Sequence, residues 1–197
     1  NYNEATVETT INITPKDQAQ FVVHDVSTAY PYQQDIVLDT SGGSGIGDIS
    51  FSVYSSDYGS ISLVNNNTIE QDISVGQYRV TATKSGDPNY VDISAIFDFS
   101  VYPIDQERLD FSGLNANLSY IYLDPITLDF SGGSGPEVVT FDISGIDNDL
   151  FITDLTSSTI SGDDYPVGQY SIIATNASSL NYNEATVETT INITPKD

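Results

Sequence analysis

Cysteine is absent from the 197 residues, which excludes disulfides, thiolate metal sites and a cysteine nucleophile. Histidine occurs once, so His-rich metal centres are excluded and little remains for acid–base catalysis. Lys and Arg total 5 against 28 Asp and Glu, a formal net charge of −23. Five cations cannot build a phosphate-neutralising patch, so nucleic acid is no partner. Nor is there a basic cluster to hold this segment on anionic lipid. No apolar run approaches the roughly 18 residues of a membrane-spanning helix. The first residues, Asn1-Tyr2-Asn3-Glu4, are polar and do not read as a leader. The expectation is a soluble protein or an interior piece of a longer one. Tryptophan and methionine are missing, yet 13 Tyr and 8 Phe oppose disorder despite the charge. Abundant Thr, Ile, Val, Ser and Tyr give a β-sheet composition.

Self-similarity is the strongest signal. Residues 1–17, NYNEATVETTINITPKD, recur letter for letter at 181–197. A weaker copy, NYVDISAIFDFSVYPID, lies at 89–105. The segments Leu38-Asp39-Thr40-Ser41-Gly42-Gly43-Ser44-Gly45 and Leu128-Asp129-Phe130-Ser131-Gly132-Gly133-Ser134-Gly135 align. So do Val75-Gly76-Gln77-Tyr78 and Val167-Gly168-Gln169-Tyr170, Asp17-Gln18 and Asp105-Gln106, and Tyr30-x-Tyr32 and Tyr120-x-Tyr122. The organisation read from this is the final strand of a preceding repeat at 1–16, repeat A at 17–104 and repeat B at 105–197. Identical outer copies around unlike repeats imply an alternating array in the parent protein, an arrangement that also limits mispairing between neighbours.

Short runs of period two, punctuated by Gly, Pro, Asn and Asp, predict strands. In repeat A they fall near 19–26, 34–40, 48–55, 60–64, 67–71, 76–83 and 91–102. In repeat B they fall near 107–112, 126–131, 137–144, 150–154, 157–160, 168–175 and 183–194. Seven short strands in each repeat predict an all-β fold of tandem immunoglobulin-like antiparallel sandwiches. Gly76-x-Tyr78-x-Val80 and Gly168-x-Tyr170-x-Ile172 resemble the tyrosine corner of such domains, with Val80 and Ile172 in the core. Pro103 and Pro195 end long final strands. A linker of two or three residues follows, so the domains are expected to stack as a stiff rod.

Candidate chemistry is sparse. The SGGSG segments lack the Lys-Ser/Thr and the helix of a phosphate loop and read as turns. His24 beside Asp25 is replaced by Ser112 in repeat B, and alternation turns it outward, against a hydrolase triad. An acid pair of glycosidase type would need carboxylates that converge. The acids common to both repeats, Asp17 and Asp105, Asp39 and Asp129, Asp92 and Glu184, read as turn and junction residues. Calcium has hard oxygen candidates in Asp147-Asn148-Asp149 with Asp154, in Asp163-Asp164, and in the junction acids Asp17, Asp105 and Glu107. None has the spacing of a known calcium loop, so no cofactor, metal or catalytic residue is assigned. Tyr30 with Tyr32, and Tyr120 with Tyr122, form either a sugar-stacking platform or edge packing. Sequons at Asn12 and Asn66 are within chance for such a composition.

The Asp-Gln opening, the SGGSG turn, VGQY followed by Ala-Thr, and Asn-Tyr before a long strand ending in Pro resemble bacterial immunoglobulin-like tandem repeats. Such repeats occur in very large secreted adhesins and cell-surface filament proteins, notably of marine and gliding bacteria. The resemblance implies an extracellular, non-enzymatic stalk used in surface attachment. Its partners would be neighbouring repeats and, in a filament, laterally associated copies. The alternative is a ligand-binding repeat that holds glycans or another surface.

Overall fold

A computed structural model describes residues 3–24, 26–146, 151–155, 159–162 and 165–197. Every element among them is a β-strand, and no helix is long and apolar enough to cross a membrane. The chain divides into two compact units, Asn1–Val101 and Tyr102–Asp197.

Unit 1 contains β1 (Phe21–His24), β2 (Ala29–Pro31), β3 (Ile36–Val37), β4 (Asp39–Gly42), β5 (Ile49–Ser55), β6 (Gly59–Ile61), β7 (Thr68–Ile69), β8 (Gly76–Lys84) and β9 (Ile93–Tyr102). Five of these form a sheet in the order β2-β9-β8-β5-β6, and the others pair as β1-β4 and β3-β7. The two sets meet in one core. Ile36, Leu38 and Ile69 come from the paired strands or their junction, and Val53, Tyr78, Val80, Phe99 and Val101 from the sheet. Fully burying side chains of this kind contributes about 1.5–3 kcal/mol each.

Unit 2 repeats the scheme with β10 (Asp110–Phe111), β11 (Ser119–Ile121), β12 (Leu123–Thr127), β13 (Phe130–Ser131), β14 (Val139–Gly145), β15 (Phe151–Leu155), β16 (Thr159–Gly162), β17 (Gly168–Asn176) and β18 (Ala185–Thr194). Its sheet runs β11-β18-β17-β14-β15, with β10-β13 and β12-β16 as pairs. Leu109, Ile126, Leu128, Phe141, Ile143, Tyr170, Ile172, Ile191 and Ile193 fill its core. The architecture is therefore all-β, with immunoglobulin-like sandwiches as units.

Alternation sets the faces as expected. Along β8, Tyr78, Val80 and Ala82 are buried while Gln77 and Arg79 are exposed. Along β17, Tyr170, Ile172 and Ala174 are buried. Three expectations need correction. The run predicted at 34–40 is two strands: β3 pairs with β7 and β4 with β1. The run predicted at 126–131 likewise splits into β12 and β13. Chain that changes partner sheet cannot keep one ladder. The strands β2 and β11 lie outside the predicted runs. Three residues are too few to show a period, and β11 is defined by parallel pairing to the distant β18. The predicted strand at 107–112 contracts to Asp110–Phe111.

Ile104 donates its N–H to the Asn181 carbonyl, and its own carbonyl accepts from Asn183 N–H. Only Pro103 separates it from Tyr102, the last residue of β9. Lys16 makes the same two bonds in unit 1, to Asn89 and from Val91. Residues 3–15 form no strand, and all are exposed.

Candidate functional site

The SGGSG segments are turns held from below by a glutamine. In unit 2 the Gln106 Nε2 donates to the carbonyls of Asn176 (3.2 Å), Ala177 (3.1 Å) and Asn183 (2.8 Å). Its Oε1 accepts from Gly135 N–H at 2.9 Å. Gln18 does the same in unit 1, with Nε2 to Val91 at 2.8 Å and Oε1 from Ser44 N–H at 3.1 Å. Ser44 Oγ accepts from Ala19 N–H and Ser134 Oγ from Glu107 N–H. The donors that would cradle a phosphate are thus directed to the protein's own chain. Gly42 and Gly132 adopt φ of +85° and +84°. A Cβ there would lie about 2 Å from the carbonyl oxygens of Gln20 and Arg108, so the motif needs glycine for backbone approach. The bracing role of Gln18 and Gln106 has no signal in the sequence beyond the repeated Asp-Gln pair.

A difference between the turns has a local cause. Asp87 accepts from the N–H groups of Ile46, Asn89 and Tyr90. These bonds, that from Ile46 first, hold its carboxyl below the usual carboxylate range. In unit 2 the residue aligned with Ile46 is Pro136, which has no N–H, and the residue aligned with Asp87 is Ser179. Donor and acceptor are absent together.

The tyrosines are structural. Tyr78 donates to the Ser74 carbonyl and Tyr170 to the Pro166 carbonyl, each four residues upstream, which is the tyrosine corner. Burial pushes the Tyr78 phenol up to about 12, with Tyr58 and Asp57 adding to the effect, so the hydroxyl stays a donor. Tyr30 and Tyr120 are buried, and their hydroxyls accept from Ser27 N–H and Asn115 N–H. Tyr30 packs edge-on against Phe99. A stacking platform needs an open ring face, which these two do not offer.

His24 is half-buried on the face it shares with the exposed Asp39. Cross-strand register puts it opposite Asp39, with Nε2 3.5 Å from Oδ2. Asp39 and Asp129 each also accept from the next residue's N–H. Asp92 accepts from Gly86 N–H, and Asp105 from Asn183 Nδ2. These acids serve turns and junctions. Asp17 and Glu107 are exposed. Among the described residues no group of three or more acidic or histidine side chains is placed to hold a metal ion. Asp147-Asn148-Asp149, Asp163-Asp164 and the Asp154 side chain lie outside the described residues.

One surface feature of unit 1 has mixed chemistry. Tyr54, Ser56, Gln77, Tyr78, Arg79 and Asp98 line a shallow depression of about 320 Å³. Arg79 and Asp98 form a bidentate pair at 2.7 and 2.9 Å. That pair holds the Asp98 carboxyl below its ordinary range. In unit 2 the aligned residues include Ser144, Ser171 and Thr190, so the chemistry belongs to one unit.

No known protein-family profile matches the chain, and no curated protein matches it. Solved structures do. The fibronectin(III)-like modules of Clostridium thermocellum CbhA are 14% identical, over 89% of this chain and 95% of that one, with a TM-score of 0.35. Drosophila N-cadherin EC1-4 is 11% identical over 93% and 50%, with a TM-score of 0.36. A SusE-like surface-located polysaccharide-binding protein of Bacteroides thetaiotaomicron is 15% identical over 90% and 34%, with a TM-score of 0.33.

Proposed function

We propose that this chain is a structural tandem repeat of a large extracellular bacterial adhesin or filament, serving as a stiff, non-enzymatic stalk in surface attachment. Its repeats are 17–104 and 105–197, and residues 1–16 belong to a preceding repeat, whose last strand they would supply. The observation that carries this reading is what the two units share. They share the Gln18/Gln106 staple, the glycine turn, the tyrosine corner and the backbone clip at Lys16 and Ile104. They do not share the one mixed depression. Repetition has kept an architecture, as a load-bearing series requires, rather than a site.

One further feature fits. A net charge of −23 makes like units repel within about 8 Å at physiological salt, which favours extension and solubility. Stretching a tethered chain in optical tweezers tests the reading. Two discrete, reversible unfolding steps of similar length, one for each sandwich unit, are expected. Yielding without discrete steps would refute it.

A second reading, a repeat that binds glycans, has one observation in its favour: the exposed Tyr54 beside Arg79 and Asp98. A glycan array on the whole chain tests it, with loss of signal in Tyr54→Ala expected if it is right.

A further inference from the structure

The outer face of the unit 1 sheet carries one row unlike its neighbours. Register sets Tyr54 of β5 opposite Arg79 of β8, and Arg79 opposite Asp98 of β9. The adjoining rows, Ser52-Thr81-Ile96 and Gln77-Ser100, hold no charge and no ring. Strands lie about 4.8 Å apart, so the three side chains share one line roughly 10 Å long. Tyr54 is 56% exposed, and the side chains of Arg79 and Asp98 are 59% and 60% exposed. All three are therefore open to a ligand, and all three line the shallow depression of this unit.

We propose that this row binds a neutral saccharide, with a pyranose ring lying on Tyr54 and two adjacent hydroxyls of the ligand held by the Arg79–Asp98 pair. The assignment rests on the glycan-binding reading above and gives that reading its ligand class. Arg79 spends its Nε–H and one Nη2–H on the carboxylate. A guanidinium has five N–H donors, so three remain, and each carboxylate oxygen that has accepted one bond keeps room for another. Donors and acceptors thus stand side by side, already oriented by the bidentate pair. A hydroxyl both donates and accepts. Two neighbouring hydroxyls can therefore accept from Arg79 and donate to Asp98 without breaking the ion pair. Tyr54 supplies a flat apolar face with a polar tip, on which the C–H face of a sugar ring rests. The exposed Gln77 adds an amide at the rim.

Charged ligands fit the row less well. A carboxylate, sulfate or phosphate has to take Arg79 from Asp98 and approach a chain of net charge −23, whose field repels anions. A cation has to take Asp98 from Arg79. A neutral polyol leaves the pair intact. Unit 2 supplies the contrast. Ser144, Ser171 and Thr190 stand at the aligned positions, and Ser171 Oγ donates to Glu188 instead. With no ring and no ion pair there, the site belongs to unit 1 alone.

The test uses the full chain on an array of neutral, uronic and sulfated oligosaccharides. Signal should fall on neutral members and be absent from the acidic ones. The best-bound oligosaccharide is then titrated against isotope-labelled chain. Amide shifts should saturate along β5, β8 and β9 around Tyr54, Arg79 and Asp98, and unit 2 should not respond. Arg79→Ser with Asp98→Thr installs the residues of unit 2 and leaves no charge unpaired. It should weaken binding at least about tenfold, as loss of hydrogen bonds to charged groups does. Thermal unfolding should stay unchanged, because an exposed ion pair adds little stability. Tyr54→Ser should weaken binding likewise, whereas Tyr54→Phe, which keeps the ring, should stay within about twofold of the wild type. No bound oligosaccharide at all overturns both this assignment and the glycan reading. Preference for acidic members, or shifts that map away from the row, overturns the assignment and leaves the glycan reading standing. So does binding that survives the paired substitution.

Discussion

Replacing Gln106 by alanine should destabilise unit 2 and leave unit 1 unchanged. The side chain is 8% exposed, so water cannot readily take over its bonds. Its Nε2 serves three carbonyls and its Oε1 one N–H. Two hydrogens shared among three carbonyls, plus the accepted bond, amount to three hydrogen bonds. A neutral bond contributes about 1 kcal/mol net, and a buried group left unpaired costs about 1–3 kcal/mol. The expected loss is about 3 kcal/mol, a fall in Tm of roughly 12–24 °C for a domain of this size. Gln18→Ala is the internal control. Gln18 is more open, and two of its four contacts are long at 3.4 Å, so water replaces more of them and the loss should be about 1 kcal/mol. Urea unfolding followed through amide NMR signals assigned to each unit gives both numbers in one chain. A Gln106→Ala cost below about 1 kcal/mol, or equal costs at the two positions, would refute the reasoning.

Gly132→Ala should cost at least about 1–3 kcal/mol from its positive φ alone, and more from the overlap with Arg108; a denaturant midpoint of unit 2 that does not move contradicts this. Ile191→Ala should cost about 2–5 kcal/mol as a buried truncation, whereas Ile11→Ala, in the same local sequence, should stay within about 0.5 kcal/mol in dilute solution; both are read by thermal unfolding. Asp87 has a lowered folded-state pKa, so its contribution is fully present above the ordinary carboxylate pKa and is lost as pH falls through the lower folded value. Asp87→Asn should therefore flatten the acid limb of the unit 1 stability profile and leave unit 2 unaffected, and parallel acid limbs in the two chains would count against the turn geometry.

Much of the scaffold was legible in the sequence. Period-two runs located the long strands β5, β8, β9, β14, β17 and β18, because exposure alternates from residue to residue along most of each. The tyrosine corner was legible because Gly-x-Tyr recurs at one offset. The short strands were not. β2 and β11 are set by pairing with residues some 70 positions away, and a three-residue run carries no period of its own. The Gln18 and Gln106 staples were visible as a repeated pair, but not as staples, since their partners lie on a distant connection. His24 illustrates the same limit: alternation gave its face, but its partner Asp39 is fixed by cross-strand register.

By itself the sequence determined the fold class, the two-fold repetition and the side-chain faces of the long strands, because hydrophobic alternation and turn chemistry are local properties. What it could not decide is shown by its own duplicated segment. The same letters form an interior strand at 185–194 and lie outside any strand at 5–14. A β-strand is completed by the backbone groups of its neighbours, and only the tertiary structure supplies them.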